Sequence, residues 1–217
     1  MSIIKKIKKY GIYESLVFAI FHVLSIKINF IFYNTMFILK SKIFSIEIGK
    51  GNKVVGNVYF GRRPGSIIQI GGNFNSVNNY KISFFNYAPC TRFKTFSSKS
   101  KIIIGNNVHV NSSSILCNST MIVIGDNTLI APNCILSDSN FHNISAVKRH
   151  GRCDKSDKPI IIKENVWIGM NTIVLKGVVI GKNSVISANS LVIADVKPNS
   201  MYAGNPAKFI KKIPDDL

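Results

Sequence analysis

From Ile162 to Val192 the chain keeps a beat of six: Ile162, Ile168, Val174, Ile180, Ile186 and Val192 are each six residues from the next. An α-helix repeats its apolar face every 3.6 residues and a half-buried strand every two, so neither produces this spacing. Gly169 and Gly181 directly follow an aliphatic beat, while Val166, Thr172, Val178, Ser184 and Ser190 hold the fourth place after one. Such a unit, with glycine or asparagine where the chain turns, is a short strand plus a corner. Stacked, these units make a parallel β-helix whose aliphatic residues point down the axis of a narrow coil.

The beat is present earlier, with interruptions. Ile104, Val110 and Leu116 hold it, and after a two-residue shift Ile124, Ile130 and Leu136 resume it. Gly105 and Gly125 follow their aliphatics, and Thr128 and Cys134 take the small position. Ile48, Val54 and Phe60 fit a first coil and Ile70-Gly71 a second. One unit cannot bury its own core, so stacking supplies the stability, and about five or six coils fit this length. Residues 73–100, rich in Asn, Ser, Phe and Tyr, lose the beat and read as irregular corners with an excursion. The expected fold class is therefore an all-β solenoid over residues 46–204, between an N-terminal helical segment (1–45) and a short C-terminal extension (205–217).

No linker rich in Pro, Gly or Ser divides the 217 residues, which are enough for one sizeable domain. The formal charge is +18. The lysines are scattered, and no helix-turn-helix, finger or aromatic ribonucleoprotein motif accompanies them, which argues against nucleic acid and leaves an anionic membrane surface or acidic ligands. Cys90, Cys117, Cys134 and Cys153 have neither CxxC spacing nor a secretory context, so they read as reduced thiols on the cytoplasmic side, with Cys134 a buried structural one. At the N-terminus, Lys5, Lys6, Lys8 and Lys9 precede an apolar run from Ser15 to Leu39 that His22, Lys27 and Asn29 interrupt and Lys40 and Lys42 follow. A packed cap, an interfacial anchor, and a spanning segment or signal all match this pattern. Lys27 near the middle is costly for a span. Two shorter helices breaking near Lys27, capping the solenoid or lying on anionic lipid, match it best.

The repeat breaks between Ser137 and Ile160, and polar reactive groups gather in the break: Asp138, His142, Lys148, Arg149, His150 and Arg152. Insertions in a solenoid leave it as loops, and loops on a rigid scaffold carry function. Three motifs stand in order around this loop: SDSNFH at 137–142, NVWIG at 165–169 and AGNPAK at 203–208. With the repeats they resemble the hexapeptide-repeat acyltransferases, specifically the branch of galactoside, maltose and surface-polysaccharide O-acetyltransferases, over about residues 46–214. That resemblance implies a left-handed coil, a homotrimer with active sites between subunits, and acetyl-CoA as donor, with no metal.

Transfer of an acetyl group to a sugar hydroxyl needs a base that is neutral near pH 7, and histidine has the right intrinsic pKa. His142 matches the family's catalytic histidine, with Asp138 either orienting its ring or serving as a turn-forming residue. His150 is a rival base in the same loop. By resemblance, Trp167, Gly169, Ser187 and Ala188 flank the donor's pantetheine arm, and Ala203 and Gly204 stand near its adenine end. Lys208 and Lys211, with Lys212 beyond, suit its phosphates as point charges. Met170 and Ile193-Ala194 depart from the family's polar pattern. For the acceptor, Asn111 is placed to contact a sugar hydroxyl, and Lys148 and Arg149 to read an acidic group. The expected acceptor is a saccharide of a capsule, lipopolysaccharide or similar polymer, acidic or lipid-linked, acetylated at the inner membrane face. N-acetylation of an amino-sugar nucleotide, a zinc enzyme using His109, His142 and His150, and a non-catalytic membrane scaffold are the alternatives.

Overall fold

A computed structural model of the chain describes residues 3–78, 90–150 and 156–214, with the side chains of its first helix from Leu16 onward. After that helix the chain winds into a triangular solenoid whose three faces are parallel sheets. The first face stacks Glu47–Ile48, Ile67–Ile70, Lys101–Ile104, Met121–Ile124, Ile160–Ile162 and Val179–Ile180. The second stacks Lys53–Val55, Asn75–Val77, His109–Val110, Leu129–Ile130, Trp167–Ile168 and Val185–Ile186, and ends in a hairpin of Ser200–Ala203 with Lys208–Lys212. The third stacks Asn57–Gly61, Cys90–Thr95, Ser114–Cys117, Ile135–Ser137, Ile173–Leu175 and Leu191–Val192. These strands make six coils, the upper end of the expected range.

The sixfold beat becomes columns of identical register. Ile104, Ile124, Ile162 and Ile180 stand over one another on the first face, and Val110, Ile130, Ile168 and Ile186 on the second. All eight are buried. The small positions are inward as well, and their hydroxyls are satisfied by corner carbonyls: Ser184 Oγ donates to Lys197 O at 2.7 Å and Ser190 Oγ to Ser187 O at 2.7 Å. This lets a polar side chain occupy a narrow core without an unpaired donor. Leu116 departs from the expectation: it is half-buried, and Ile115 and Cys117 point inward instead. Ile115, rather than Leu116, stands opposite Leu136, so the interval after Val110 is five residues.

The corner between first and second faces is turned by a left-handed residue, Gly51 in the first coil and asparagine in those above it. Asn73, Asn107, Asn127, Asn165, Asn183 and Asn199 all have φ between 53° and 59°. From Asn73 to Asn183 each side-chain amide donates to the side-chain carbonyl oxygen of the next asparagine in the column, at 3.0, 3.0, 3.1, 3.0 and 2.8 Å. A shorter ladder, Asn133 to Asn171 to Asn189, runs up the corner between second and third faces.

The described residues within 73–100 belong to the coil more fully than their composition suggests. Asn75–Val77 and Cys90–Thr95 continue the second and third faces, with Phe74 and Phe93 in place of aliphatics. The expected excursion falls on residues 79–89, outside the described residues. Phe74 and Phe93 join Phe60 and Phe37 in an aromatic cluster with ring centroids 5.7–6.0 Å apart.

Phe37 comes from the helix Ile3–Ile43, which is continuous through Lys27. The expected break does not form, because no proline precedes Pro64 and lysine is a good helix former. Asn34 closes the open end of the second face: its Oδ1 accepts from Val54 N (3.0 Å) and its Nδ2 donates to Val54 O (2.9 Å), as a neighbouring strand would. Lys40 Nζ donates to Val58 O at the third face. The helix ends in a left-handed Ser45, with Ser45 N donating to Lys42 O and Ile46 N to Ser41 O, a Schellman pair that turns the chain into the first coil.

Two expected outcomes follow from this packing. Asn127→Ala, which removes both the tolerated left-handed conformation and a rung of the ladder, lowers stability by about 1–2 kcal/mol in urea unfolding, and Asn127→Gly by less. Burial pushes the inward Cys117 thiol up to about 12, helped by the negative Asp138 beside it, and burial pushes Cys134 up to about 11. Both thiols hold protons that the unfolded chain releases near pH 9. Their stability contribution is thus full below pH 9 and is lost as pH rises toward 11–12, which denaturant titrations between pH 8 and 11 would show.

Candidate functional site

The chain leaves the solenoid after Ile135–Ser137 and rejoins it at Ile160, so the loop hangs from the corner between third and first faces. Asp138 is the first residue out and is fully buried. Its carboxylate accepts from Asn118 N (2.5 Å), Ser119 N (3.3 Å), Thr120 N (3.0 Å) and Thr120 Oγ1 (2.8 Å), with Cys117 Sγ at 3.3 Å. A carboxylate in such a nest of backbone N–H groups holds the coil corner below it. Of the two sequence expectations for Asp138, orienting the ring or forming a turn, the geometry gives neither as stated: its partners are residues 117–120 of the coil beneath, and His142 meets a different acceptor.

The returning leg is tied to the same corner. Asp157 Oδ2 accepts from Asn118 Nδ2 (2.7 Å) and Ser119 Oγ (2.5 Å), while Oδ1 is buried without a hydrogen-bond partner among the described residues. Sequence reasoning passed over Asp157, and no local pattern marks it in so polar a segment. Between the legs, Phe141, at φ 58°, sets its ring edge-on to Phe96 at 5.0 Å and so pins the loop to the solenoid beside His142.

His142 itself is exposed, with Nδ1 3.3 Å from Arg149 O. A carbonyl can only accept, so in the neutral ring Nδ1 carries the proton and Nε2 keeps a free lone pair. The orienting group is thus a main-chain oxygen. Arg149 is brought there by the 3₁₀ turn Ala146–Lys148, and its guanidinium donates to Ile144 O at 3.1 Å. Lys148 and Arg149 are exposed beside His142, and His150 closes the described part of the loop.

A second feature lies at the corner between second and third faces. A cavity of about 430 Å³ is lined by Trp167, Gly169, Ser187 and Ala188, together with Ala131, Pro132, Met170 and Met201. Four residues grouped by sequence are therefore brought to one wall. Gly169 has a direct reason to lack a side chain: a Cβ there would stand 2.5 Å from Ala188 N. Trp167, 53% exposed, stands at the mouth on the outer second face, in line with Leu129 and Val185.

Ala203 and Gly204 continue the same corner upward, where Ser187 N donates to Tyr202 O, Gly204 N to Ser190 Oγ, and Leu191 N to Gly204 O. In the closing hairpin Lys208 pairs with Ala203 and Lys211 with Met201, which puts both exposed lysines at the upper end of the cavity's wall. Asn111 stands at the lower end of this column, one coil below Ala131, but its Oδ1 is engaged, accepting from Val77 N at 2.9 Å. His109 lies on the outer second face opposite Leu129, while His142 and His150 lie in the loop.

Within one chain the third face separates the two features. The Ile135–Ser137 strand has Ala131 and Pro132 just before it, at the cavity, and His142 just after it, in the loop. The fold therefore assembles the cavity residues with one another and the loop residues with one another, without joining the sets.

The family described as "Bacterial transferase hexapeptide (six repeats)" matches residues 159–194. The chain is 40% identical over 120 residues to galactoside O-acetyltransferase of Escherichia coli K12, covering 55% of this chain, and it spans 58% of that relative's length. It is 30% identical over 161 residues to the putative lipopolysaccharide biosynthesis O-acetyl transferase WbbJ of the same organism, covering 70% of this chain and 74% of the relative. Among solved structures, a point mutant of AntD, an N-acyltransferase from Bacillus cereus in complex with dTDP and coenzyme A, superposes with a TM-score of 0.62 at 19% identity over 81% of this chain and 88% of that one, a likeness of fold. The sixfold columns, the loop leaving the coil after Ser137 and the extended match to WbbJ make this chain a member of the hexapeptide-repeat transferase family, with that family's left-handed parallel β-helix.

Proposed function

We propose that this chain is an acetyl-CoA-dependent O-acetyltransferase acting on a hydroxyl of a cell-surface saccharide. The observation that carries the reading is the contact of His142 Nδ1 with Arg149 O at 3.3 Å on an exposed ring: with the Nδ1 proton turned to that carbonyl, Nε2 is left as the acceptor. A hydroxyl placed there gives its proton to Nε2 as its oxygen bonds to the thioester carbonyl carbon. The C–S bond then breaks and the proton passes to the leaving sulfur. No covalent acyl-enzyme is needed, and Cys117 and Cys134 are buried thiols unsuited to forming one. A backbone N–H stabilises the oxyanion.

The donor occupies the cavity beside Trp167. Its apolar wall and the close approach to the backbone allowed at Gly169 suit a long amide-bearing arm, and Lys208 and Lys211 offer charges for phosphates at the upper end. Because His142 and this cavity lie on opposite sides of the third face, the reading requires a second subunit whose cavity faces the loop, an arrangement that the homotrimer implied by the family resemblance supplies. The names of the relatives, a galactoside and a lipopolysaccharide O-acetyltransferase, support a saccharide acceptor. Exposed Lys148 and Arg149 suit an acidic one, while Asn111, whose Oδ1 is held by Val77 N, offers its Nδ2 amide to the acceptor. The reaction belongs on the cytoplasmic side, where the donor is made.

The test is release of free CoA thiol across a panel of neutral, acidic and amino sugars and surface-polymer fragments. His142→Ala is expected to lower kcat by about 10²–10⁴-fold with CoA affinity within about twofold of the parent. Trp167→Ala is expected to weaken CoA binding about tenfold and leave the pH profile in place. Unchanged turnover in the His142 variant defeats the assignment of the base, and a parent protein that does not bind CoA defeats the transferase reading. Asp138→Asn should cost about 2–4 kcal/mol of stability by disturbing the nest, while the folded fraction keeps the parent's pH dependence. A shifted kinetic pKa would instead return Asp138 to the role of orienting His142.

A further inference from the structure

The capping helix is only half used by the cap. From Phe18 to Phe32 no large hydrophobic side chain is buried, and exposure runs from 37% at Ile26 to 69% at Phe21. At about 100° per residue, Phe18, Phe21, Val23 and Leu24 already face all sides of the axis. A helix made to dock on one protein surface concentrates its apolar residues in a stripe. This one has no polar face to leave in water, and Leu16–Ile43 is long and apolar enough to cross a bilayer.

Charge provides an independent observation at the same end of the molecule. Residues 1–101 hold sixteen Lys and Arg against two acidic side chains, Glu14 and Glu47, whereas residues 102–217 hold twelve against eight. The excess positive charge of the chain is thus concentrated on the helix and the first coils, where Lys42, Lys50, Lys53, Arg63, Arg92 and Lys94 are exposed. An apolar helix entering from a strongly basic surface is the chemistry that recognises an anionic bilayer.

We infer that the helix N-terminal to Tyr33 inserts into an anionic lipid bilayer, with the basic first coils seated on the headgroups and Tyr33–Ile46 joining the insert rigidly to the solenoid. Lys27 marks the headgroup level, because its stem can lie along apolar surface while the ammonium reaches phosphate. The join is stiff: Asn34, Phe37 and Lys40 each contact the first coils from the same continuous helix. Resting on the proposed function, this places the coil that carries His142 three strand spacings, about 14 Å, above the capped end, within reach of a saccharide carried on lipid.

The full-length chain is to be mixed with phosphatidylcholine vesicles, with and without about one third phosphatidylglycerol, and sedimented, beside a Phe21→Glu/Ile28→Glu/Ile31→Glu variant and an Arg63→Glu/Arg92→Glu/Lys94→Glu variant. All six positions are exposed, and circular dichroism checks that each variant is folded. The expected result is at least about tenfold more parent protein in the pellet with anionic vesicles, retained when 1 M NaCl is added after binding. The helix variant should stay in the supernatant, and the coil variant should lose the preference for anionic lipid. Three results overturn the inference: parent protein left in the supernatant, a helix variant that binds as the parent does, or lipid-free parent whose helix is protected in a larger oligomer that the helix variant disperses. Acetyl transfer with soluble acceptors is measured in parallel, so that failure of membrane binding and failure of the enzymatic reading are separately visible.

Discussion

The structure depends on a conformation that most residues avoid. A coil of six-residue units turns sharply three times per rung, and at the corner between first and second faces the turn is made by a left-handed residue. Asparagine tolerates that conformation, and its amide pairs with the copy above, so one side chain solves both the turn and the register. Once Asn107, Asn127, Asn165 and Asn183 are stacked, Ile104, Ile124, Ile162 and Ile180 are stacked as well, because each lies three residues before its asparagine. Corner and core are a single constraint, and a slip of one residue would expose the aliphatics on every face above it.

Against that rigid frame, the loop after Ser137 is held by two carboxylates that look alike in sequence and act differently. Asp138 takes main-chain N–H groups of residues 118–120, and Asp157 takes the side chains of Asn118 and Ser119. Both legs of the loop thereby converge on one corner of the coil beneath. His142 is fixed by its neighbours on this base: Phe141 packs on Phe96, and Arg149 O meets the imidazole. Carbonyl and carboxylate would select the same tautomer, but the carbonyl adds no charge beside the ring.

An open coil end exposes unpaired strand edges, and the two ends of this solenoid close in different ways. At the top the chain folds back as the hairpin Ser200–Ala203 with Lys208–Lys212. At the bottom Asn34 imitates a strand, Lys40 caps a carbonyl and Phe37 extends the aromatic column. Capping sheet edges in this way blocks further strand addition. The phenylalanines at 60 and 74 fit here because their rings meet Phe37, and Phe93 packs on both of them, so aromatic rings replace the sixfold aliphatic beat toward the N-terminus.

The solenoid and the break at the loop were legible in the sequence, because a repeat transmits spacing into space without intermediate steps, whereas Trp167, Gly169, Ser187 and Ala188 were grouped by the family resemblance and line one cavity in the structure. Residues at equal phase in successive units must fall in one column, so a motif in one coil and a motif in the next are neighbours by construction. Where that periodicity lapsed, only the tertiary structure decided. The inward turn of Ile115 rather than Leu116 depended on a five-residue interval, and the membership of Phe74 in the core depended on the helix that covers it, with Phe93 packed beneath Phe60 and Phe74. The continuity of that helix through Lys27, the engagement of Asn111 by Val77 N, and the carbonyl rather than the carboxylate beside His142 were likewise tertiary outcomes. Each joins residues whose separation is set by how segments fold over one another, and no local spacing encodes such a contact.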